Sequence, residues 1–471
     1  MNDYQLAWRN LWRNKRRTII TAASVFFAVF FALVMRSFQL GAYDRLFKNV
    51  IESYTGYLQI QQKNYFDDPV LDNGFEITPG LLDSIKKDPD ITGVVPRLQS
   101  FALAAVGSRT QGVIVMGIDP REEEHVSSIS QRLVRFRLSS EAIRALKSQP
   151  LPERTKKMLD VYSGDSYSSV GRLLIDLDIP DEDTASVLPL MRKYASFKNE
   201  YLSENDSDAV VIGSGLSSYL RADVGDTLVM IGQGYHGSTA AGKYVIKGIV
   251  RLPAPDIDNI IVYLPINEAR TFFDAPGLLT SLVLNVKKND NRSLTATEER
   301  LKGFINGQLT ILPWQKLNEL LVNQIEADNN SGKIMIGILY LVIAFGVFGT
   351  VVMMMAERKR EFGMLVSIGM QKAKLAKVVS FELLLTGVLG IIAGIIVSLP
   401  IVFYGHFHPI RFTGEMGRMY EDYGFEPVMP TMLPHAYYLG QILVVLIILG
   451  IAIAYSIRKV FRINVIKSMR A

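Results

Sequence analysis

The chain has 471 residues, 49% of them hydrophobic and 21% charged, with a mean hydropathy of +0.19 and a net charge of only +5. The absence of cysteine excludes a disulfide framework, a thiolate metal site and a cysteine nucleophile. So small and scattered a positive balance excludes a nucleic-acid footprint, and four long apolar blocks exclude an ordinary soluble enzyme.

Residues 1–17 carry Arg9, Arg13, Lys15, Arg16 and Arg17 against Asp3. Thr18–Met35 follow without a charge and predict a first membrane helix over 18–38. This run exceeds the apolar core of about 7–15 residues in a cleaved signal, and no small-x-small site precedes Arg36, so a retained anchor is expected. Three more blocks predict membrane helices over 334–356, 378–404 and 436–457. At about 1.5 Å per residue, each spans a hydrocarbon core of roughly 30 Å. Lys and Arg crowd the N-terminus, the 357–377 segment and the 458–471 tail, whereas the 405–435 loop is richer in acids. Both termini and 357–377 are therefore expected in the cytoplasm, and 39–333 and 405–435 outside.

Within 39–333, Thr55–Gln62 alternates as a strand, Pro79–Lys87 reads as a helix, and Val94–Val106 and Val113–Ile118 flank a turn. A second pass begins at Ala209–Ile212. It continues through Ser214–Arg221 as a helix, strands at 226–232 and 243–250, Ile260–Leu264, a helix near Asn267–Phe273, Leu282–Val286, a helix over 294–305 and the strand Leu309–Leu312. The pattern predicts an α+β domain of two split βαβ-like halves. Between them, 29 of the 89 residues at 121–209 are charged. Apolar positions at helical spacing there (Ala142, Ile143, Leu146; Leu173, Leu174) predict a helical insert with Ser-rich breaks at 163–169 and 203–207. Residues 314–333 read as a helical stalk leading into the second membrane helix.

Two motifs resemble chemistry that their context does not support. Gly232-x-Gly234-x-x-Gly237 and Gly237-x4-Gly242-Lys243 imitate phosphate-binding loops, but strand alternation resumes at Tyr244 and Ile246 where a helix is needed. His406, His408 and His435 sit on a short interfacial loop whose spacing fixes no metal geometry. No catalytic constellation and no metal site emerge.

The most specific segment is Glu357-Arg358-Lys-Arg-Glu361-Phe-Gly363-Met-Leu-Val-Ser367-Ile-Gly369-Met-Gln-Lys372. It reads as a short amphipathic helix at the membrane surface, with Phe362, Leu365, Val366 and Ile368 apolar and Gly369 as a C-cap. The pattern E-R-x-x-E-x-G-x-x-x-[AS]-x-G resembles the signature of FtsX-like permeases, the MacB/LolC/LolE-type ABC transporter subunits. The start Ala7-Trp8-Arg9-Asn10-Leu11-Trp12-Arg13-Asn14-Lys15-Arg16-Arg17-Thr18 looks like the family's elbow helix, and Ile463–Arg470 resembles its ending, with Val465 near the usual proline. In the third membrane helix, Thr386, Gly390 and Gly394 form a small-residue stripe that admits a neighbouring helix. Glu382 stands about a turn inside the cytoplasmic end, either as a packing and coupling contact or as a carboxylate snorkelling to the interface.

The resemblance implies four membrane helices with a large α+β extracytoplasmic domain like those of MacB and LolE, in a bacterial inner membrane. It implies mechanotransmission without catalysis on this chain. ATP and magnesium would be bound by a separate cytoplasmic ABC ATPase dimer, docked at Glu357, Arg358, Glu361, Gly363, Ser367, Gly369 and Lys372. A second permease subunit, the same or paralogous, is expected. The outer region, through Gly117–Pro120 and Val211–Leu216, looks most like the lipoprotein-releasing branch, implying lipoproteins and a periplasmic carrier as partners. The insert at 121–209 departs from that pattern. A MacB-like exporter of peptides or drugs, or an FtsX-like regulator of a cell-wall hydrolase, is the alternative. A receptor without an ATPase lacks an output module in the two short cytoplasmic ends.

Overall fold

In the computed structural model, residues 8–9, 11–13, 15–422 and 427–463 are described. Among the described residues, four helices are long and apolar enough to cross a membrane, and they make the chain a multi-pass membrane protein. They are Lys15–Val50, Glu319–Glu357, Lys372–Phe407 and Ala436–Phe461. The first three outrun the hydropathy signal because good helix formers continue past the apolar run. In the second, the helix passes through Gly332 and begins fifteen residues before Ile334.

These helices form one compact unit with the described residues of 1–45, 323–410 and 428–471. Its core joins Val25, Val29 and Leu33 of the first helix to Val347 and Val351 of the second. Val379, Leu383 and Ile391 of the third and Val445 and Leu449 of the fourth complete it. In this unit, Gln39 Nε2 donates to the Tyr43 hydroxyl at 2.8 Å, and Tyr43 donates to the Asp328 carboxylate, joining the first two helices.

The second unit, residues 46–322 and 411–427, is built on one nine-stranded sheet. Its strands are β1 (Leu58–Gln62), β2 (Ile91–Val106), β3 (Arg109–Ile118), β4 (Ala209–Gly213), β5 (Thr227–Gln233), β6 (Thr239–Val250), β7 (Ile261–Pro265), β8 (Ser281–Val286) and β9 (Leu309–Pro313). The order is β9-β1-β8-β2-β3-β7-β4-β6-β5, and β5 pairs again with β2, so six strands close into a barrel. The two halves expected from the sequence share this one sheet. β2 is sixteen residues long; its first part pairs with β8 and its last part with β3 and β5, drawing both halves into one sheet. β3 and β7 pair in parallel across the insert. Leu98, Ala104, Val115, Ile212, Met230 and Ile246 fill the barrel at alternate positions. The strand expected over 55–62 starts only at Leu58, because Ile51–Thr55 form a π-helical turn after the first membrane helix.

Residues 121–209 contain helices Ser140–Lys147, Glu153–Val161, Val170–Asp176 and Asp181–Tyr194 around a core of their own: Leu146, Leu159, Tyr167, Leu173 and Met191. Two serines, Ser139 and, in the 163–169 break, Ser169, have a local role. Ser139 Oγ accepts from Ala142 N–H at 3.1 Å and Ser169 Oγ from Arg172 N–H at 3.3 Å, each supplying an N-cap. The insert is keyed to the barrel by a buried pair, Arg97 Nε to Glu123 Oε2 at 3.1 Å, while Arg97 Nη1 also donates to the Tyr54 carbonyl.

The stalk is not one helix from residue 314. Trp314–Leu317 forms a single turn, and Asn318 (φ −116°, ψ 38°) interrupts before Glu319–Glu357 begins. The Asn318 amide donates to the Trp314 carbonyl at 2.8 Å and to Thr55 Oγ1 at 3.3 Å, the local competition that ends helices at Asn.

Candidate coupling site

The segment joining the second and third membrane helices folds as the short helix Lys359–Ser367. It stops because Gly369 adopts φ +101°, a conformation costly for any side-chain-bearing residue, and Gly369 and Met370 N–H return to Val366 and Leu365 carbonyls at 3.1 and 3.0 Å. Gln371 is extended, and the third membrane helix starts at Lys372.

Arg358 stands at the N-terminal boundary of this helix, makes no side-chain capping bond and is buried. Its Nη1 donates to Glu382 Oε2 at 2.6 Å, its Nε to Glu361 Oε2 at 3.2 Å, and its guanidinium lies 5.0 Å from the Phe362 ring. Arg13 Nη2 donates to the same Glu361 oxygen at 3.1 Å. Four charges on three chain segments thus form one network. The Arg358 and Glu382 side chains are only 6% and 3% exposed, whereas Arg13 and Glu361 are about half exposed. The inner pair is therefore weakly screened, and its partners hold each other by charge-assisted hydrogen bonds. Glu382 is itself buried and faces Arg358. Sequence reading missed its partner, because a spacing of 24 residues carries no helical signal.

Lys372 Nζ donates to the Phe461 and Ile463 carbonyls at 3.2 and 2.8 Å, a cation at the C-terminal end of the fourth membrane helix. Phe362 and Gly363 are buried, and Val366 packs against the membrane core. Leu365 and Ile368, expected on the same apolar face, point outward instead; Ile368 is 81% exposed and Met364 joins them. With only nine residues, the helix divides its apolar residues between two faces. Glu357 and Ser367 are exposed, Ser367 Oγ donating to the Met364 carbonyl at 2.8 Å.

The small-residue stripe meets the first membrane helix. A Cβ on Gly390 would lie 2.6 Å from the Ala22 carbonyl oxygen and 2.7 Å from Val25 Cβ, and one on Gly394 would lie 2.8 Å from Val29 Cβ. Thr386 Oγ1 donates to the Glu382 carbonyl at 2.8 Å. Gly387, which the four-residue spacing passed over, faces Leu449 of the fourth helix.

The glycine-rich stretch at 232–242 is the tip of the β5–β6 hairpin, with Gln233 opposite Thr239 and Lys243 inside a strand. His406 Nδ1 lies 2.8 Å from the Thr431 carbonyl, and no group of three metal-ligating side chains occurs among the described residues. Ala7, Asn10, Asn14 and residues 464–471, which carry part of the elbow and tail resemblance, lie outside the described residues; 8–9 and 11–13 are helical.

Residues 333–465, the span that holds the connecting helix and the last three membrane helices, match the FtsX-like permease C-terminal family. The chain is similar to the lipoprotein-releasing system transmembrane protein LolC of Neisseria meningitidis serogroup B, 23% identical over 226 residues, covering 46% of this chain and 53% of the relative. LolC of Xylella fastidiosa (strain Temecula1) aligns at 20% over 225 residues, with the same shares of 46% and 53%. The chain thus spans about half the length of the curated relatives it matches. Among solved structures, the periplasmic region of MacB from Actinobacillus actinomycetemcomitans aligns over 59% of this chain and 98% of its own, at 12% identity and a TM-score of 0.32.

Proposed function

We propose that this chain is the permease subunit of a bacterial inner-membrane ABC transporter that works by mechanotransmission and releases lipoproteins to a periplasmic carrier. The observation that carries the coupling role is the connecting helix itself. Its inward face is bolted to the third membrane helix through Arg358 and Glu382, and its outward face presents Met364, Leu365 and Ile368 beside Glu361. That outward face is the docking surface for the ATPase. Force applied there enters the membrane helices through a buried ion pair rather than through a flexible loop. ATP and magnesium are bound by the ATPase, and this chain is not a catalyst in the cycle. A second permease subunit completes the assembly, with both termini and the connecting helix in the cytoplasm. The similarity to LolC supports the lipoprotein substrate.

The test is gentle detergent purification of the tagged chain from its host, with mass spectrometry of everything retained. An ABC ATPase recovered with lipoproteins or a periplasmic carrier supports the proposal. An ATPase with an outer-membrane duct redirects it to export, and the absence of any ATPase overturns it.

A further inference from the structure

The helices Lys372–Phe407 and Ala436–Phe461 belong to the membrane unit, yet residues 411–427 of the loop between them pack as part of the outer unit. The contact that holds them lies on the insert. Gly414 N–H donates to the Tyr162 hydroxyl at 2.6 Å, with Gly414 at φ +70°, and Gly417 lies beside the same hydroxyl. Both partners of this bond are firmly set. Tyr162 is buried in the insert's core at the end of helix Glu153–Val161, its N–H bonded to the Met158 carbonyl at 2.9 Å. On the loop, the Phe412 ring stacks on Tyr420 at 4.5 Å and Phe412 N–H donates to the Pro427 carbonyl at 2.9 Å. Among the described residues, none of the insert's large apolar side chains is exposed, so the insert's apolar surface is spent on its own core.

We propose that the insert is a brace that grips the loop joining the third and fourth membrane helices, with Tyr162 as its anchor. Through the third helix, whose inner end holds Arg358 by Glu382, the brace biases the connecting helix Lys359–Ser367. The outer domain is then attached to the membrane helices by this loop as well as by its two chain connections. The insert sets how readily the connecting helix moves.

Hydrogen exchange by mass spectrometry on the full chain in lipid nanodiscs tests this without any ATPase, so the outcome does not depend on the transporter reading. In the wild-type chain, residues 411–422 are protected. Tyr162→Phe speeds their exchange by about fivefold, the weight of one neutral hydrogen bond. It also changes exchange across 358–369 while helices 140–194 stay protected. Should those helices loosen too, Phe412→Ala repeats the comparison from the loop side and leaves the insert's core intact. A wild-type loop that exchanges as a free segment overturns the brace, and a freed loop that leaves 358–369 unchanged overturns its link to the connecting helix.

Discussion

Replacing Arg358 by Met removes the charge at the centre of the network but keeps an apolar stem of similar length. Three contacts are lost, and they differ in weight. Glu361 is half exposed and retains Arg13, so its share is about 0–1 kcal/mol. The guanidinium over Phe362 contributes about 0.5–2 kcal/mol. The dominant share belongs to Glu382, left buried without its partner guanidinium, and removal of one member of such a pair costs about 3–5 kcal/mol in all. The double variant Arg358→Met, Glu382→Leu carries no orphaned charge and recovers to within about 1 kcal/mol of wild type. Unfolding free energies from SDS titration in mixed micelles measure all three proteins. If Arg358→Met costs less than about 1 kcal/mol, or if the double variant is no more stable than the single one, the buried pair does not organise this site. The recovered double variant also separates folding from transmission, since under the proposed function it is stable yet gives no stimulation of the ATPase.

Glu361→Lys and Gly369→Leu leave the chain folded but abolish ATPase stimulation in the reconstituted complex; the glycine variant strains a residue at φ +101° by about 1–3 kcal/mol, and wild-type transport in both would refute the docking role. Gly390→Ala forces the first and third membrane helices apart against Val25 and costs about 1–3 kcal/mol, whereas Gly349→Ala, with open space beside it, is near neutral in the same titration. Burial pushes the Asp258 carboxyl up to about 6, against the pull of three backbone N–H donors and Arg251. Its folded state therefore holds a proton that the unfolded chain releases near 4, so outer-domain stability is fully present below about pH 4 and falls by about 3 kcal/mol as pH rises through 6. Asp258→Asn flattens that slope in denaturant titrations across this range. Deleting 139–195 leaves the barrel protected from exchange, but deleting 121–209 does not, because it strands the buried Arg97 guanidinium by removing Glu123.

Much of this was readable in the residues, for definite reasons. A membrane span needs about 20 apolar residues in a row, so Thr18–Met35 and its three counterparts are visible without any knowledge of partners. Hydropathy sees only the apolar portion, however: the helical stretch through Gln39–Lys48 escaped it, and the one through Glu319–Lys333 was legible only as a stalk leading into the second span. β5 shows its own alternation and β4 and β7 are short apolar runs, but the pairing of Ala102 with Gly232 that closes the barrel is a contact between distant segments that periodicity does not encode. The Glu357–Lys372 motif located the site, and the Gly369 turn brings the chain back so that Arg358 meets Glu382. That geometry depends on one glycine's dihedral angle, and only the coordinates display it.

The helix Glu319–Glu357 is 39 residues long, about 58 Å at 1.5 Å per residue, nearly twice the thickness of a hydrocarbon core. A rod of that length is a displacement amplifier. Tilting it by about 10° about one end moves the other by about 10 Å, roughly the spacing of two packed helices. At its N-terminal end it stops at Asn318, the non-helical residue between it and the short turn Trp314–Leu317. A rotation too small to disturb the packing at one end of this helix is therefore a displacement of a whole helix diameter at the other.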